Sequence, residues 1–273
     1  MVFEFLDLKP RNPYLSLALD EALCRFYARR PDFEGGIRLW ANNYSIILGR
    51  TCDAADNLQP EFLEKLEISH QRAHWSSNTT LCRRASGGGT VLHGPGGFNY
   101  SIFIPLEKHP SLYPVRQSYE VLLGLVRETL GNLGIECRME GQSDLVMVDE
   151  DGAYKKISGN AQFRKHGVLV HHGTLITHRD LIEFIAHYLQ HPPREPEYRE
   201  GRRHEEFLGN LPDGFDVATF YNTLSAVLKR FLNAPALEAP TRGERKDIYN
   251  LARKMAAELY SAESWILTGR HPR

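Results

Sequence analysis

The fold class is decided by the stretch Lys156-Ile157-Ser158-Gly159-Asn160-Ala161-Gln162-Phe163-Arg164, which continues through Lys165-His166-Gly167 into Val168–Ile176. Polar and apolar residues alternate in the first part, as they do in a strand with two different faces. The last part is rich in β-branched residues and predicts a second strand. Because only a short turn separates the two strands, they are predicted to pair as an antiparallel hairpin.

Further strands and helices are predicted on both sides of this hairpin. The turn Asp149-Glu150-Asp151-Gly152 indicates another hairpin, and Asn12-Pro13 is typical of a helix start, with a cap residue followed by proline. Strands are predicted at 37–40 and 45–48, joined as a hairpin by the turn 41–44, and at 81–84, 90–93, 99–104 and 145–148. Helices are predicted from residue 13 onward and at 61–66, 117–133, 180–189, 216–232 and 243–259, with a surface loop at 70–80. A run of strands followed by a run of helices indicates an α+β fold with a largely antiparallel sheet.

Composition excludes several classes of protein. The chain has 273 residues, a formal net charge of -1 and 42% hydrophobic residues, whereas proteins that bind nucleic acid usually carry a basic excess. No apolar run approaches the ~18 residues of a membrane span, and the N-terminus lacks the features of a signal peptide. Cys24, Cys52, Cys82 and Cys137 form no Cys-x-x-Cys pair, so neither a zinc site nor a disulfide framework is expected. We therefore expect a cytoplasmic protein without a nucleic-acid or membrane partner. We also expect a monomer, because no long apolar seam is left unassigned.

The strongest candidate for a ligand site is Arg83-Arg84-Ala85-Ser86-Gly87-Gly88-Gly89-Thr90, followed by Val91-Leu92-His93. Consecutive glycines allow positive φ angles and the close approach of a ligand, and their amide groups can form an anion-binding turn. Two adjacent arginines add positive charge, so the segment predicts binding of a phosphate or a carboxyl-phosphate anhydride. The alternative is a flexible glycine turn with solvent-facing arginines. The segment has neither the Gly-Lys-Ser/Thr ending of a Walker loop nor the following helix of a dinucleotide fingerprint.

The two strands of the central hairpin carry the other candidate residues. Alternation places Lys156 on the face opposite Gly159, in one row with Ser158, Asn160, Gln162 and Arg164. The small residues Gly159 and Ala161 favour a ligand close to the backbone, although a solvent-facing strand would show a similar pattern. In the next strand, His171 and His172 point to opposite faces, which disfavours a shared metal and predicts that one of them faces the site.

These segments together resemble the lipoate–protein ligase and lipoyl/octanoyl transferase family, which is related to the biotin protein ligases. The resemblance rests on Arg83-Arg84-x-Ser86-Gly87-Gly88-Gly89, Lys156-Ile157-Ser158-Gly159 and His171-His172-Gly173-Thr174-Leu175. Asp20-Glu21, Leu39-Trp40, Gly49-Arg50 and Ser143-Asp144-Leu145-Val146 also fit, in the expected order, as does Tyr260-Ser261-Ala262-Glu263-Ser264-Trp265 near the end. The ordered set is far more specific than any one of its motifs.

The resemblance implies a mixed, mostly antiparallel sheet flanked by helices, similar to the catalytic domains of biotin ligases and class II aminoacyl-tRNA synthetases. It implies an enzyme that joins lipoic acid to ATP, with Mg²⁺, and transfers the lipoyl group from lipoyl-AMP to a lysine of an acceptor lipoyl domain. Lys156 would be the catalytic residue, in contact with the acyl carbonyl and the α-phosphate. Asp144 matches a position near Mg²⁺, and Trp40 and Val91 are candidates for the walls of an acyl slot. The implied substrate-binding residues are Arg83, Arg84, Ser86, Gly87, Gly88, Gly89, Thr90, His93, Ser158, Gly159, His172, Gly173 and Thr174.

Two departures from the family pattern leave alternatives open. We expect residues 1–273 to form a single catalytic domain without the small accessory domain of longer ligases, so a separate accessory polypeptide could be required. Cys137 stands near the place of the nucleophile in cysteine-dependent octanoyltransferases, which would make it an acyl acceptor from an acyl carrier protein. A third alternative is a non-catalytic protein that binds acyl groups or nucleotides. The basic loop 191–203 is a candidate contact for an acidic lipoyl domain.

Overall fold

Two β-sheets organise the chain in a computed structural model that describes residues 1–63, 74–76 and 79–272. The larger sheet has seven strands, in the order β1 (Val2–Arg11), β2 (Gly35–Asn42), β7 (Gly97–Pro105), β11 (Val168–Ile176), β10 (Tyr154–Lys165), β9 (Asp144–Val148) and β8 (Arg138–Glu140). The smaller sheet has the order β4 (His74–Ser76), β5 (Thr79–Arg83), β3 (Ser45–Leu48) and β6 (Val91–His93). The pairs β1–β2 and β3–β5 are parallel, and the other pairs are antiparallel.

The helices that the structure describes pack against the two sheets. They are α1 (Pro13–Tyr27), α2 (Val115–Asn132), α3 (Arg179–Tyr188), α4 (His204–Phe207), α5 (Val217–Phe231), α6 (Arg242–Met255) and α7 (Glu263–Thr268), and a π-helical turn, Ala256–Tyr260, follows α6. One apolar core forms between the sheet and helices α2 and α5, and a second forms between the sheet and helices α1 and α6. The smaller sheet and α3 share a third core. None of the described helices is long and apolar enough to cross a membrane.

The central hairpin and the α+β class are confirmed. Strands β10 and β11 pair antiparallel, and β9 pairs with β10 across the turn at 149–152. Helix α1 begins where the cap predicts, since the Asn12 side chain accepts from the backbone N–H groups of Tyr14 and Leu15. The remaining predicted strands and long helices are present with ends shifted by a few residues.

The hairpin predicted across 41–44 is wrong. Strand β2 pairs with β1 and β7 in the larger sheet, whereas β3 pairs with β5 and β6 in the smaller one. The turn therefore carries the chain from one sheet to the other. The loop predicted at 70–80 is wrong where the structure describes it, because 74–76 and 79–80 are strand; its other residues lie outside the described residues. The predicted helix 61–66 is helical up to residue 63, and its remainder lies outside them as well.

Candidate active site

A β-bulge in β10 determines where Lys156 points. Lys156 pairs with Val146 and Ser158 pairs with Leu145, so Ile157 is the extra residue on this strand. Ile157 packs into the core under α2, and the Lys156 side chain lies over Gly159, where an added Cβ would be 3.2 Å from Nζ. The predicted alternation is therefore wrong at this point, because the bulge moves Lys156 to the face of Gly159 and Ala161. Ser158 is buried on the opposite face and lines neither of the cavities described below.

Asp144 and Tyr198 hold the amine of Lys156. Lys156 Nζ lies 2.9 Å from Asp144 Oδ1, and the Tyr198 hydroxyl donates to Asp144 Oδ2 at 2.8 Å. Burial and the neighbouring carboxylate raise the pKa of Tyr198, so its hydroxyl keeps its proton and acts as a donor. No sequence motif marks Tyr198, which lies in a short 3₁₀ turn, Glu197–Arg199, within the loop 191–203. That turn is brought to Lys156 by the tertiary fold alone.

Two adjoining cavities meet at Lys156. The larger has a volume of about 810 Å³ and the smaller about 120 Å³. Both are lined by Gly89, Thr90, Val91, Ser143, Asp144, Lys156, Gly159 and Thr174. Leu17, Trp40, Ala161 and His172 line only the smaller one, whereas residues of the loop 191–203 line only the larger one. The amine of Lys156 therefore stands at the boundary between the small cavity and the wider one.

Arg84 shapes the glycine turn beside these cavities. Its Nε donates to Ser86 Oγ at 2.9 Å, and its Nη2 donates to the carbonyl oxygens of Gly87 and Gly89 at 2.7 Å each. Gly88 has φ +84°, so a left-handed conformation is required at one of the three glycines. Within the described part of the chain, the amides of Gly87, Gly88 and Gly89 have no protein acceptor. The turn thus offers free N–H groups next to a buried cation, although burial lowers the pKa of Arg84 to about 10.

Arg83 does not reach the site, which corrects the prediction of two ligand-binding arginines. Its buried guanidinium donates to the backbone carbonyl oxygens of Gly49, Arg50, Cys52, Trp265, Ile266 and Leu267. It lines neither cavity. Arg83 therefore ties α7 to the chain that follows β3, and Arg84 is the arginine that reaches the smaller cavity.

A buried relay of polar groups connects the glycine turn to α1. His172 Nε2 lies 2.7 Å from Ser86 Oγ, and His172 Nδ1 lies 3.1 Å from Asp20 Oδ2. Arg38 donates to Asp20 Oδ1 at 2.6 Å. Although burial opposes ionisation, Arg38 and His172 hold the pKa of Asp20 below its usual range. His172 faces the smaller cavity, while His171 is buried on the other side of the sheet, so the two histidines lie on opposite faces as predicted.

His93 and Thr174 form another part of the wall of the smaller cavity. His93 Nδ1 lies 3.2 Å from Asn42 Nδ2 and His93 Nε2 lies 3.1 Å from Thr174 Oγ1, which donates to Asn99 Oδ1 at 2.7 Å. Burial, together with the Arg84 charge, lowers the pKa of His93 to about 3. This histidine is therefore neutral and fixes the wall. On the opposite face of β11, an added Cβ at Gly173 would lie 2.0 Å from Asn160 Oδ1 and 2.6 Å from the Tyr100 hydroxyl, so this position has no room for a side chain.

Cys137 lies outside this constellation. It packs against the core under α2 and lines neither cavity. Burial raises the pKa of its thiol to about 11, whereas a nucleophilic cysteine needs a lowered pKa. Among the described residues there is also no group of three His, Cys, Asp or Glu side chains that could hold a metal.

The amino-acid sequence is similar to those of lipoate-protein ligases. Residues 12–213 match the family model described as the lipoyl protein ligase A/B catalytic domain. Lipoate-protein ligase A of Blochmanniella pennsylvanica is 29% identical over 178 residues, which cover 65% of this chain and 46% of that protein. A putative lipoate-protein ligase A of Aeropyrum pernix is 32% identical over 169 residues, which cover 61% and 54%. The chain thus spans about half the length of these relatives.

Solved structures show the same fold. The bi-partite lipoate protein ligase of Thermoplasma acidophilum, described together with its E2 lipoyl domain, superposes with a TM-score of 0.75 at 22% identity and covers 100% of this chain and 99% of that one. A lipoate-protein ligase A bound with ATP superposes with a TM-score of 0.73 at 22% identity, covering 97% and 98%. Because the family model matches residues 12–213, which are most of the chain, this chain belongs to the lipoyl protein ligase A/B catalytic domain family.

Proposed function

We propose that this chain activates lipoate with ATP to lipoyl-AMP and transfers the lipoyl group to a lysine of a lipoyl domain. The observation that carries the proposal is the position of Lys156 on the wall shared by two cavities, beside the free amides of the glycine turn. A relative bound with ATP and a putative T. acidophilum ligase bound with lipoic acid support both substrates.

In this proposal, each of the two cavities binds a different part of lipoyl-AMP. The smaller one, with Trp40, Leu17 and Ala161 in its wall, takes the acyl chain, whose burial contributes about 0.8 kcal/mol per methylene. The larger one takes the nucleotide. The acyl carbonyl and the α-phosphate then meet at the boundary, within reach of Lys156 and the amides near Gly89.

Two steps follow from this placement. In the first, a lipoate carboxylate oxygen bonds to the α-phosphorus while the bond to the β-phosphate breaks and pyrophosphate leaves. In the second, the acceptor amine attacks the acyl carbonyl and AMP leaves. Charge builds up on carbonyl and phosphate oxygens in both steps, and a fixed cation such as Lys156 typically contributes ~10²–10³ in rate. Because Lys156 is paired with Asp144, its amine is already positioned before substrate binds.

Asp144 is the residue proposed to hold Mg²⁺. Magnesium usually binds through one or two carboxylates together with substrate phosphates, and Asp144 lines both cavities beside Lys156. When bound, the ion would neutralise phosphate charge during the first step.

The acceptor and a possible second polypeptide are also part of the proposal. The T. acidophilum relative is described as a bi-partite ligase with an E2 lipoyl domain, which supports a lipoyl-domain acceptor and a separate accessory chain. The free cysteines of this protein suit a reducing compartment such as the cytoplasm. Within the basic loop 191–203, Arg203 is exposed and paired with Glu206, whereas Arg202 is bound to backbone carbonyls of Tyr154 and Tyr198.

The proposal is tested with the purified chain, lipoate, Mg-ATP and a lipoyl domain. We expect release of AMP and a mass increase on the acceptor lysine, with no product when that lysine is replaced by arginine. A parallel reaction adds an accessory polypeptide from a bi-partite system, and rescue of an inactive chain would identify a split ligase. Transfer from octanoyl-acyl carrier protein without ATP, abolished by Cys137→Ser, would overturn the proposal in favour of an acyltransferase.

A further inference from the structure

Arg199 is a buried arginine with an unused donor. The residue is only 4% exposed, and its Nη2 is buried without a hydrogen-bond partner. Its Nε donates to Arg202 O at 2.9 Å and lies 3.4 Å from Glu195, and its guanidinium carbon lies 4.8 Å from the centre of the Phe207 ring. The ring and these contacts hold the group in place while Nη2 stays free. A buried charged donor without a partner is rare in proteins and calls for a ligand.

The position of Arg199 shows which ligand group is within its reach. The residue lines the larger cavity but not the smaller one. It follows Tyr198 in the 3₁₀ turn, and Tyr198 is bonded to Asp144, which is paired with Lys156. The turn is thus docked on the catalytic lysine, and the guanidinium stands on the nucleotide side of it.

A neighbouring arginine shows that this free donor is not a general property of the turn. Arg202 also lies over the Phe207 ring, at 5.4 Å, but its donors are bound to the carbonyl oxygens of Tyr154, Tyr198 and Arg199. Arg202 therefore anchors the turn, whereas Arg199 lines the larger cavity and has one buried guanidinium donor without a partner.

We propose that Arg199 binds phosphate oxygens of ATP beyond the α-phosphate, which makes it a further binding residue for the pyrophosphate that leaves during adenylation. This inference rests on the proposed function, in which Lys156 at the cavity boundary serves the acyl carbonyl and the α-phosphate. A second cation, confined to the larger cavity, then matches the remaining phosphates. As the bond between the α-phosphorus and the bridging oxygen breaks, the electron pair goes to pyrophosphate, and the guanidinium stabilises that growing charge.

The experiment compares ATP and AMP binding by calorimetry in the full chain and in Arg199→Met. We expect Arg199→Met to weaken ATP binding about 10- to 100-fold and to leave AMP binding within about twofold. Arg199→Lys, which keeps the charge, should recover part of the loss. Arg203→Met is the matched control, because Arg203 is an exposed arginine of the same segment paired with Glu206, and it should bind both nucleotides like the parent chain.

Half-reactions give a second readout. In Arg199→Met, lipoyl-AMP formation should fall with a raised KM for ATP, while transfer from synthetic lipoyl-AMP to the lipoyl domain should stay unchanged. Equal losses for ATP and AMP, no loss for either, or a parent chain that binds no ATP would each overturn the inference. If the parent chain binds ATP in the expected pattern but forms no lipoyl-AMP, either alone or with the accessory polypeptide, the proposed function fails while the phosphate site stands.

Discussion

A methyl group added at Gly89 tests the site more sharply than removal of a charged residue. An added Cβ at Gly89 meets no atom within 4 Å, and its φ lies outside the left-handed region. Gly89 lines both cavities at the boundary where Lys156 stands. Gly89→Ala should therefore fold normally and place its methyl where the intermediate must lie.

The magnitudes separate folding from binding. Gly→Ala at a compatible position stabilises by about 0.4–1 kcal/mol through the unfolded state, so Tm should stay constant or rise by a few degrees. Crowding a packed site by a methyl group costs about 1–3 kcal/mol, which corresponds to a loss of about 5- to 150-fold in kcat/KM. The matched control is Gly87→Ala, because an added Cβ there also meets no atom within 4 Å but Gly87 lines neither cavity. Gly88→Ala differs from both variants, because alanine at φ +84° is strained and should lower the free energy of unfolding by about 1–2 kcal/mol.

The assay is lipoyl-AMP formation at varied lipoate and ATP, with thermal unfolding of each variant. Gly87→Ala should keep full activity, and Gly89→Ala should lose it at equal or higher Tm. If Gly89→Ala were as active as Gly87→Ala, the intermediate would not pass the glycine turn, and the placement of substrate at the shared wall would be refuted.

The other predictions concern single groups. Lys156→Ala should lower adduct formation by ~10²–10³ with an unchanged circular dichroism spectrum, and near-normal turnover would remove it from the mechanism. Tyr198→Phe, which deletes the hydrogen bond to Asp144, should lower kcat/KM for adenylation about tenfold at similar Tm; an unchanged value would show that the bond does not position the carboxylate. Cys137→Ser should keep ATP-dependent lipoylation within about twofold of the parent chain's rate. Loss of this activity would instead support a mechanism through an acyl thioester on Cys137. Burial lowers the pKa of His93 and of His171 to about 3 in the folded chain. Between about pH 6.5 and pH 3, the two histidines are therefore protonated in the unfolded chain and neutral in the folded chain. The free energy of unfolding, measured with urea, should therefore decrease as the pH is lowered, by about 2 kcal/mol per histidine at pH 5. A constant free energy of unfolding between pH 6.5 and 5 would contradict the burial of these histidines as neutral groups.

The predictions from sequence were accurate where the deciding interactions are local. Strands β10 and β11 are joined by a two-residue turn, His166-Gly167, so their pairing is decided by residues adjacent in the chain. The turn after β2 carries similar local signals, yet it connects two sheets. The difference lies in β5, which takes the place beside β3 from more than thirty residues downstream. Local patterns give no information on such a partner, and this is why the predicted hairpin was wrong.

The site was predictable as a set of motifs but not as a geometry. Alternation assigned Lys156 to the wrong face because a single extra residue, Ile157, reverses the order of faces. Tyr198 and Arg199 carry no motif, and their importance depends on a turn that docks against Asp144 from a distant part of the chain. The residues that sequence analysis missed are thus those brought to the lysine by tertiary contacts.

The adjacent arginines, however, could have been separated from the sequence alone. Neighbouring side chains on an extended chain point in opposite directions, and this rule correctly placed His171 and His172 on different faces. The same rule applies to Arg83, which ends β5, and Arg84, which follows it. At most one of them could face a ligand, and the other had to be buried in protein or exposed to solvent. Since a buried guanidinium has five donors to satisfy, it needs many acceptors, and the carbonyl ends around α7 supply them to Arg83. The double-arginine motif therefore combines one residue that shapes the ligand site with one that holds the site's supporting framework together.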